Sequence, residues 1–219
     1  VKFEAYDYIG VIVPGSILVV TASLLFPEWT SLLGASITLG DLGLVLILAF
    51  LAGHLLQAVG NLWETIVWSV MGGMPSSWPA RVKTLLLSDD QLNRLDERLQ
   101  ADFSIDRTEL ADGRAMIREI MVRIKRQGDV ERIERFNRNY GLMRGVAAGL
   151  LVAGLLVLVL ESESWPIAVM LGVAAGVATY RMVRFGIHYG REMYVEYLSL
   201  PVPDTQQTDQ SKASSGSKT

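Results

Sequence analysis

Apolar residues are gathered into four long runs, roughly 9–26, 42–61, 142–160 and 165–185, separated by polar or turn-rich chain. As helices, all four are long enough to cross a hydrocarbon layer of about 30 Å. The second run changes character midway. From Gly43 to Gly53 it is uninterrupted apolar; then His54, Gln57, Asn61 and Glu64 follow at intervals of three, four and three. That spacing stacks the four on one helical face, with Leu55, Leu56, Val59, Leu62 and Ile66 around the rest. A span carrying such a stripe must turn it away from lipid, so these four residues are the candidates for a polar seam or pore lining. The pattern predicts an all-α membrane protein with four transmembrane helices and a small helical cytoplasmic region between spans two and three.

The connecting stretches supply the remaining elements. The second span's helix continues to about residue 70, and GGMPSSWP at 72–79 breaks it. Ser88 with Gln91 reads as a capping box opening a helix to about Ala101. Asp106 with Glu109 reads as another, opening a helix whose Ile117, Ile120, Met121 and Ile124 form an apolar face. A third helix starts near Val130 and runs without a breaker into span three. The organisation expected is a transmembrane hairpin over 1–74, a helical region over 75–139 and a second hairpin over 140–200. Its last helix extends beyond the span, and the polar tail at 201–219 is expected to be disordered. Pro14-Gly15, early in span one, predicts a bent or late-starting helix, with a gating hinge as the alternative.

Charge orients these elements. Residues 27–41 and 161–164 contain no Lys or Arg but do contain Glu28, Asp41, Glu161 and Glu163. All twenty basic residues lie at the amino terminus, in 75–144, or from Arg181 onward. The positive-inside rule then places both termini and the central region in the cytoplasm, with two short acidic loops outside. The first span lacks a basic leader region and an A-x-A cleavage site, so it reads as a retained span. Half of the 219 residues are hydrophobic, and the mean hydropathy of +0.31 reflects the long runs rather than a large soluble core.

Two basic groups stand out. Arg181, Arg184, His188 and Arg191 repeat the three, four, three spacing of the second span. Counted from the outer ends at Leu42 and Trp165, Asn61 comes level with Arg184 and Glu64 with His188. The expectation is therefore a pair between Glu64 and Arg184 or Arg181. In the central region Arg114, Arg118, Arg123, Lys125 and Arg126 face only Glu119. They read as a solvated helix face, an anionic-lipid contact, or a site for a phosphorylated or nucleotide ligand. The string GVAAG occurs twice, giving Gly145 with Gly149 and Gly172 with Gly176 as close-packing pairs.

Chemistry is sparse. There is no cysteine, there are two histidines, and no G-x-S-x-G, P-loop, G-x-G-x-x-G or H-E-x-x-H motif occurs. His54 and Gln57 alone are too few for a metal site. The sequence therefore leads to no enzyme, cofactor or metal. The polar stripe itself admits three readings: interhelical packing, the lining of a watery path in an oligomer, or a proton- or substrate-handling site.

The entry Tyr6-Asp7-Tyr8-Ile9-Gly10 with Pro14-Gly15, the His-x-x-Gln-x-x-x-Asn-x-x-Glu helix, and Phe136-Asn-Arg-Asn-Tyr140 ahead of span three carry a resemblance. The chain resembles small bacterial four-span inner-membrane proteins, some of them membrane effectors of anti-phage signalling systems. The resemblance implies an oligomeric, channel-like protein in the bacterial inner membrane. Its cytoplasmic helices would sense a nucleotide or oligonucleotide made by a partner signalling enzyme. It transfers no catalytic residue. The alternatives are a non-conducting anchor for a cytosolic partner, or a transporter subunit.

Overall fold

The computed structural model describes residues 5–28, 38–80, 86–111 and 114–201. The tail from 202 and the Arg114 side chain lie outside them. Six α-helices account for most of the chain: α1 (Ala5–Leu25), α2 (Leu39–Val70), α3 (Asp89–Phe103), α4 (Arg114–Gln127), α5 (Glu131–Leu160) and α6 (Trp165–Ser199). Single 3-10 turns lie at Pro75–Ala80, Arg107–Ala111 and Ser162–Ser164, and no strand occurs among the described residues. Four helices, α1, α2, α5 and α6, are long and apolar enough to cross a membrane. The other two form a polar helical layer at one end of this bundle. That end is the layer end below, and the opposite one the loop end.

Local chemistry explains the boundaries. Thr38 opens α2 with a reciprocal capping box, in which its hydroxyl accepts from the Asp41 N–H (3.2 Å) and its own N–H donates to the Asp41 carboxylate (2.8 Å). Gly72 and Gly73 end it at φ 79° and 104°, values that side chains rarely tolerate. Ser88 and Gln91 form the capping box expected of them, and the helix runs two residues beyond the expected Ala101. Asp106 and Glu109 behave differently. Their bonds close the 3-10 turn, and α4 begins only at Arg114. α1 runs through Pro14 without interruption from Ala5, so it does not start late.

The bundle is locked by glycine. A Cβ at Gly15 would fall 1.7 Å from the Ala49 carbonyl oxygen of α2, and one at Gly53 would fall 2.0 Å from the Val11 oxygen of α1. On the other side of α1, Pro14 Cγ would lie 2.7 Å from a Cβ at Gly145 of α5. Pro14-Gly15 is thus the axle on which three helices cross at backbone contact. α6 lies outside this trio, packed along α5, and leaves an apolar groove of about 800 Å³ toward α1, lined by Val13, Ile17, Val20, Ile167 and Leu171.

The layer has its own core. Leu92, Leu95 and Leu99 of α3 and Ile120 and Ile124 of α4 meet Ile133 of α5. Met193, Tyr194, Tyr197 and Leu200, at the far end of α6, complete it and are 0–4 % exposed. The 35-residue α6 therefore serves two compartments, one apolar flank in the bundle and one in the layer.

Candidate functional site: a polar network at the layer end

The stripe on α2 divides in two. Gln57 and Glu64 turn into the bundle, whereas His54 and Asn61 are exposed. Seven residues separate the members of each pair, so the pairs form two neighbouring rows about 60° apart on the helix. Only one row fits within the footprint of α5. Gly60, beside Gln57 and Glu64 on the packed side, makes the room: a Cβ there would press on Arg144 Cγ at 3.3 Å.

Arg144 of α5 is the centre of the site. Its guanidinium donates to the Glu64 carboxylate and, through Nη2, to Gln57 Oε1 at 3.0 Å. Glu64 is also hydrogen-bonded to Tyr140, one turn before Arg144. The Tyr140 hydroxyl accepts from Trp68 Nε1 at 2.7 Å, and the two rings stack 6.4 Å apart. Gln57, Arg144, Glu64, Tyr140 and Trp68 thus form one continuous network between α2 and α5. Arg144 Nε is buried without a partner among the described residues. The expected pairing of Glu64 with Arg184 or Arg181 is not what the structure contains. Counting from the loop ends had put Asn61 level with Arg184. Trp63 Nε1 contacts Thr179 Oγ1 at 3.0 Å and, with the long Trp63 side chain leaning back a turn along α2, Asn61 comes near the level of Tyr180 instead. An antiparallel arginine, invisible to a comparison of parallel spans, reaches Glu64 first.

The basic stripe of α6 is likewise not one surface. Arg181 and Arg184 are exposed, Arg181 over the Phe185 ring and Arg184 against the Tyr180 hydroxyl at 3.2 Å. His188 stacks on Phe136 at 5.2 Å, and Arg191 donates to the Leu86 carbonyl at 3.1 Å.

The four basic candidates of the central region whose side chains are described, Arg118, Arg123, Lys125 and Arg126, are also dispersed. Arg118 and Arg126 are exposed, and Lys125 pairs with Glu134 at 3.6 Å. Arg123 turns inward to Asp102 at 3.0 Å. That carboxylate anchors a second network. It takes Arg98 Nε at 3.0 Å and the Tyr197 hydroxyl at 2.8 Å, while Arg98 donates to the Leu200 and Pro201 carbonyls at 2.8 and 2.9 Å. Arg98 therefore clamps the chain just past α6, satisfying the carbonyls of its C-cap Leu200 and of Pro201. Of the glycine pairs, Gly145 and Gly149 face Pro14, whereas Gly172 and Gly176 face open space. No cluster of His, Cys, Asp or Glu with metal-binding geometry occurs among the described residues.

The Asp102 carboxyl, 1 % exposed, is pushed up by burial, and the Tyr197 and Arg98 hydrogen bonds with the Arg98 and Arg123 charges outweigh that and hold it below the carboxylate range. Its folded value lies below its unfolded one, so the stabilisation is complete above the usual carboxylate pKa and is lost as pH falls through the folded value. Hydrogen-exchange protection at residues 193–200, taken relative to the intrinsic rate at each pH, should accordingly be high at neutral pH and be lost as the pH falls below the usual carboxylate range. Asp102→Asn should be poorly protected at both. Slow exchange of that variant would show that the network does not hold the layer.

The two networks are joined by α6. Gly186 lies against Trp68, where a Cβ would come 2.8 Å from the ring, and eleven residues later Tyr197 meets Asp102. A pocket of about 590 Å³ opens beside Glu64 between Thr65, Trp68, Ser69, Ser76, Leu110 and Ile117, so one cavity touches both the bundle and the layer. No protein-family model, no curated protein and no solved structure matches the chain.

Proposed function

We propose that the chain is an oligomeric bacterial inner-membrane effector of channel type, whose polar path is opened or closed by a signal reaching the helical layer. The observation that carries this reading is the placement of the Gln57–Arg144–Glu64 network. It lies at the layer end of the bundle, and α6 ties it mechanically to the layer. A change in how α3 and α4 grip Tyr197 and Leu200 is felt at Gly186, hence at Trp68, Tyr140 and Glu64. The distribution of Lys and Arg supports a cytoplasmic layer, and the resemblance to anti-phage effectors favours a nucleotide or oligonucleotide signal over a constitutive pore. Four spans in one chain enclose little space, so the path requires several copies around an axis.

One observation favours a second reading. Glu64 is matched inside its own chain by Arg144 and Tyr140, the arrangement that packing alone would select, and this suits a non-conducting anchor for a cytosolic partner. Ion flux from purified protein in liposomes separates the two. A channel gives flux, constitutive or on addition of a cyclic or linear oligonucleotide, and Arg144→Gln changes its rate or selectivity. Flux absent under every such ligand, with Arg144→Gln altering stability alone, leaves the anchor.

A further inference from the structure

We propose that copies of this chain associate through two unlike faces: the His54–Asn61 flank of α2 on one copy, and the α6 face carrying Gly172, Gly176, Tyr180 and Arg184 on the next. This rests on the reading of the chain as a membrane-spanning oligomer and names the surfaces that meet.

Each face is incomplete within one chain. Among the described residues His54 makes a ring contact with Phe50, centroids 4.5 Å apart, and no hydrogen bond, and the Asn61 carboxamide has no partner there. Both are exposed on a helix long and apolar enough to cross a membrane, where lipid tails supply neither donor nor acceptor. Ile47 and Leu51, also exposed, continue the same flank toward the loop end at helical spacing. On α6, a Cβ at Gly172 or Gly176 would meet nothing within 4 Å. An apolar groove of about 540 Å³ runs beside them between α5 and α6, lined by Leu151, Gly154, Leu155, Ala168 and Gly172. Below it the Arg184 guanidinium, with no acidic partner among the described residues, sits against the Tyr180 hydroxyl.

The heights of these features select a second copy over lipid. Because the long Trp63 side chain leans back a turn along α2, its contact with Thr179 sets Asn61 near the level of Tyr180. His54, two turns nearer the loop end, is then level with the Gly172–Gly176 stretch. α2 and α6 run in the same direction, so rotation about the membrane normal sets α2 of one copy beside α6 of another with every height preserved. Asn61 then offers its acceptor to the Tyr180–Arg184 donors, the His54 ring lies over glycine, and the Ile47–Leu51 ridge enters the groove. Because the faces are unlike, each copy uses both and the array closes into a ring.

The chain contains no cysteine, so paired cysteines can be read in membranes without background. Oxidation of the Leu51→Cys/Gly172→Cys or the Ala58→Cys/Gly176→Cys variant should give a ladder of dimer, trimer and higher species, and each single variant none. Asn61→Leu placed in either double variant should thin the ladder severalfold. All these positions are exposed, and circular dichroism checks that the variants remain folded. Monomer alone from both folded double variants overturns the proposal, as does a dimer from Leu51→Cys by itself, which would mean like faces meeting about a two-fold axis. A ladder from protein that passes no ions keeps this contact and removes the channel reading. Flux without a ladder does the reverse.

Discussion

Gly15→Ala should separate the first two spans and lower stability by about 3 kcal/mol or more, at the upper end of what overpacking costs. The added methyl has nowhere to go. It would sit 1.7 Å from a backbone oxygen, and backbone cannot rotate aside as a side chain can. α1 and α2 must part, which also loosens Pro14 from Gly145 and Gly149. Gly53→Ala meets the Val11 carbonyl in the same way and should behave alike. Gly43→Ala, with nothing within 4 Å, is the control and should gain slightly from helix propensity. Thermal melts in detergent give the comparison. A Tm for Gly15→Ala within a degree or two of the parent would mean that the helices do not cross at Pro14-Gly15.

Arg144→Met and Glu64→Leu should each be strongly destabilising, by about 3 kcal/mol, the lower end for breaking a buried ion pair because each partner keeps about a fifth of its exposure. The double variant should recover most of the loss. It leaves no unmatched charge, and removing both partners of a buried pair is often close to neutral. A coupling of at least 1 kcal/mol between positions 64 and 144, and none between 64 and 184, distinguishes the observed pair from the one that counting from the loop ends suggests. Additive losses at 64 and 144 would remove Arg144 from the centre of the site.

Much of the architecture is legible in the sequence because its signals are local. Four apolar runs, the Ser88–Gln91 capping box and the unbroken passage from Glu131 into the third membrane-length helix all follow from residues within a few turns of one another. What escapes is set by the relative height and rotation of helices distant in sequence. His54, Gln57, Asn61 and Glu64 make one stripe by periodicity, yet the edge of the α2–α5 contact falls between its two rows. Arg144 could be suspected from its place near the start of an apolar run, one turn after Tyr140, but its partner depends on α5 running against α2. The Asp106–Glu109 box misleads for a related reason. Half of it forms as read, the Asp106 N–H donating to Glu109, but the Asp106 carboxylate accepts from Thr108, and the bonds close a short turn rather than opening α4. Arg98 leaves no pattern at all, since its acceptors are carbonyls about a hundred positions away.

The contribution of α6 to the layer also constrains the order of biosynthesis. α3 and α4 are synthesised well before Met193, Tyr194, Tyr197 and Leu200, the side chains that fill the space between them. Until the fourth long helix has been made, the layer has an open apolar flank and an Asp102 without its tyrosine. The first three long helices can meet at Pro14-Gly15 early, whereas the layer must wait for almost the whole described chain. A ribosome-bound chain ending before residue 193 should therefore hold the helical trio and a layer still open to protease.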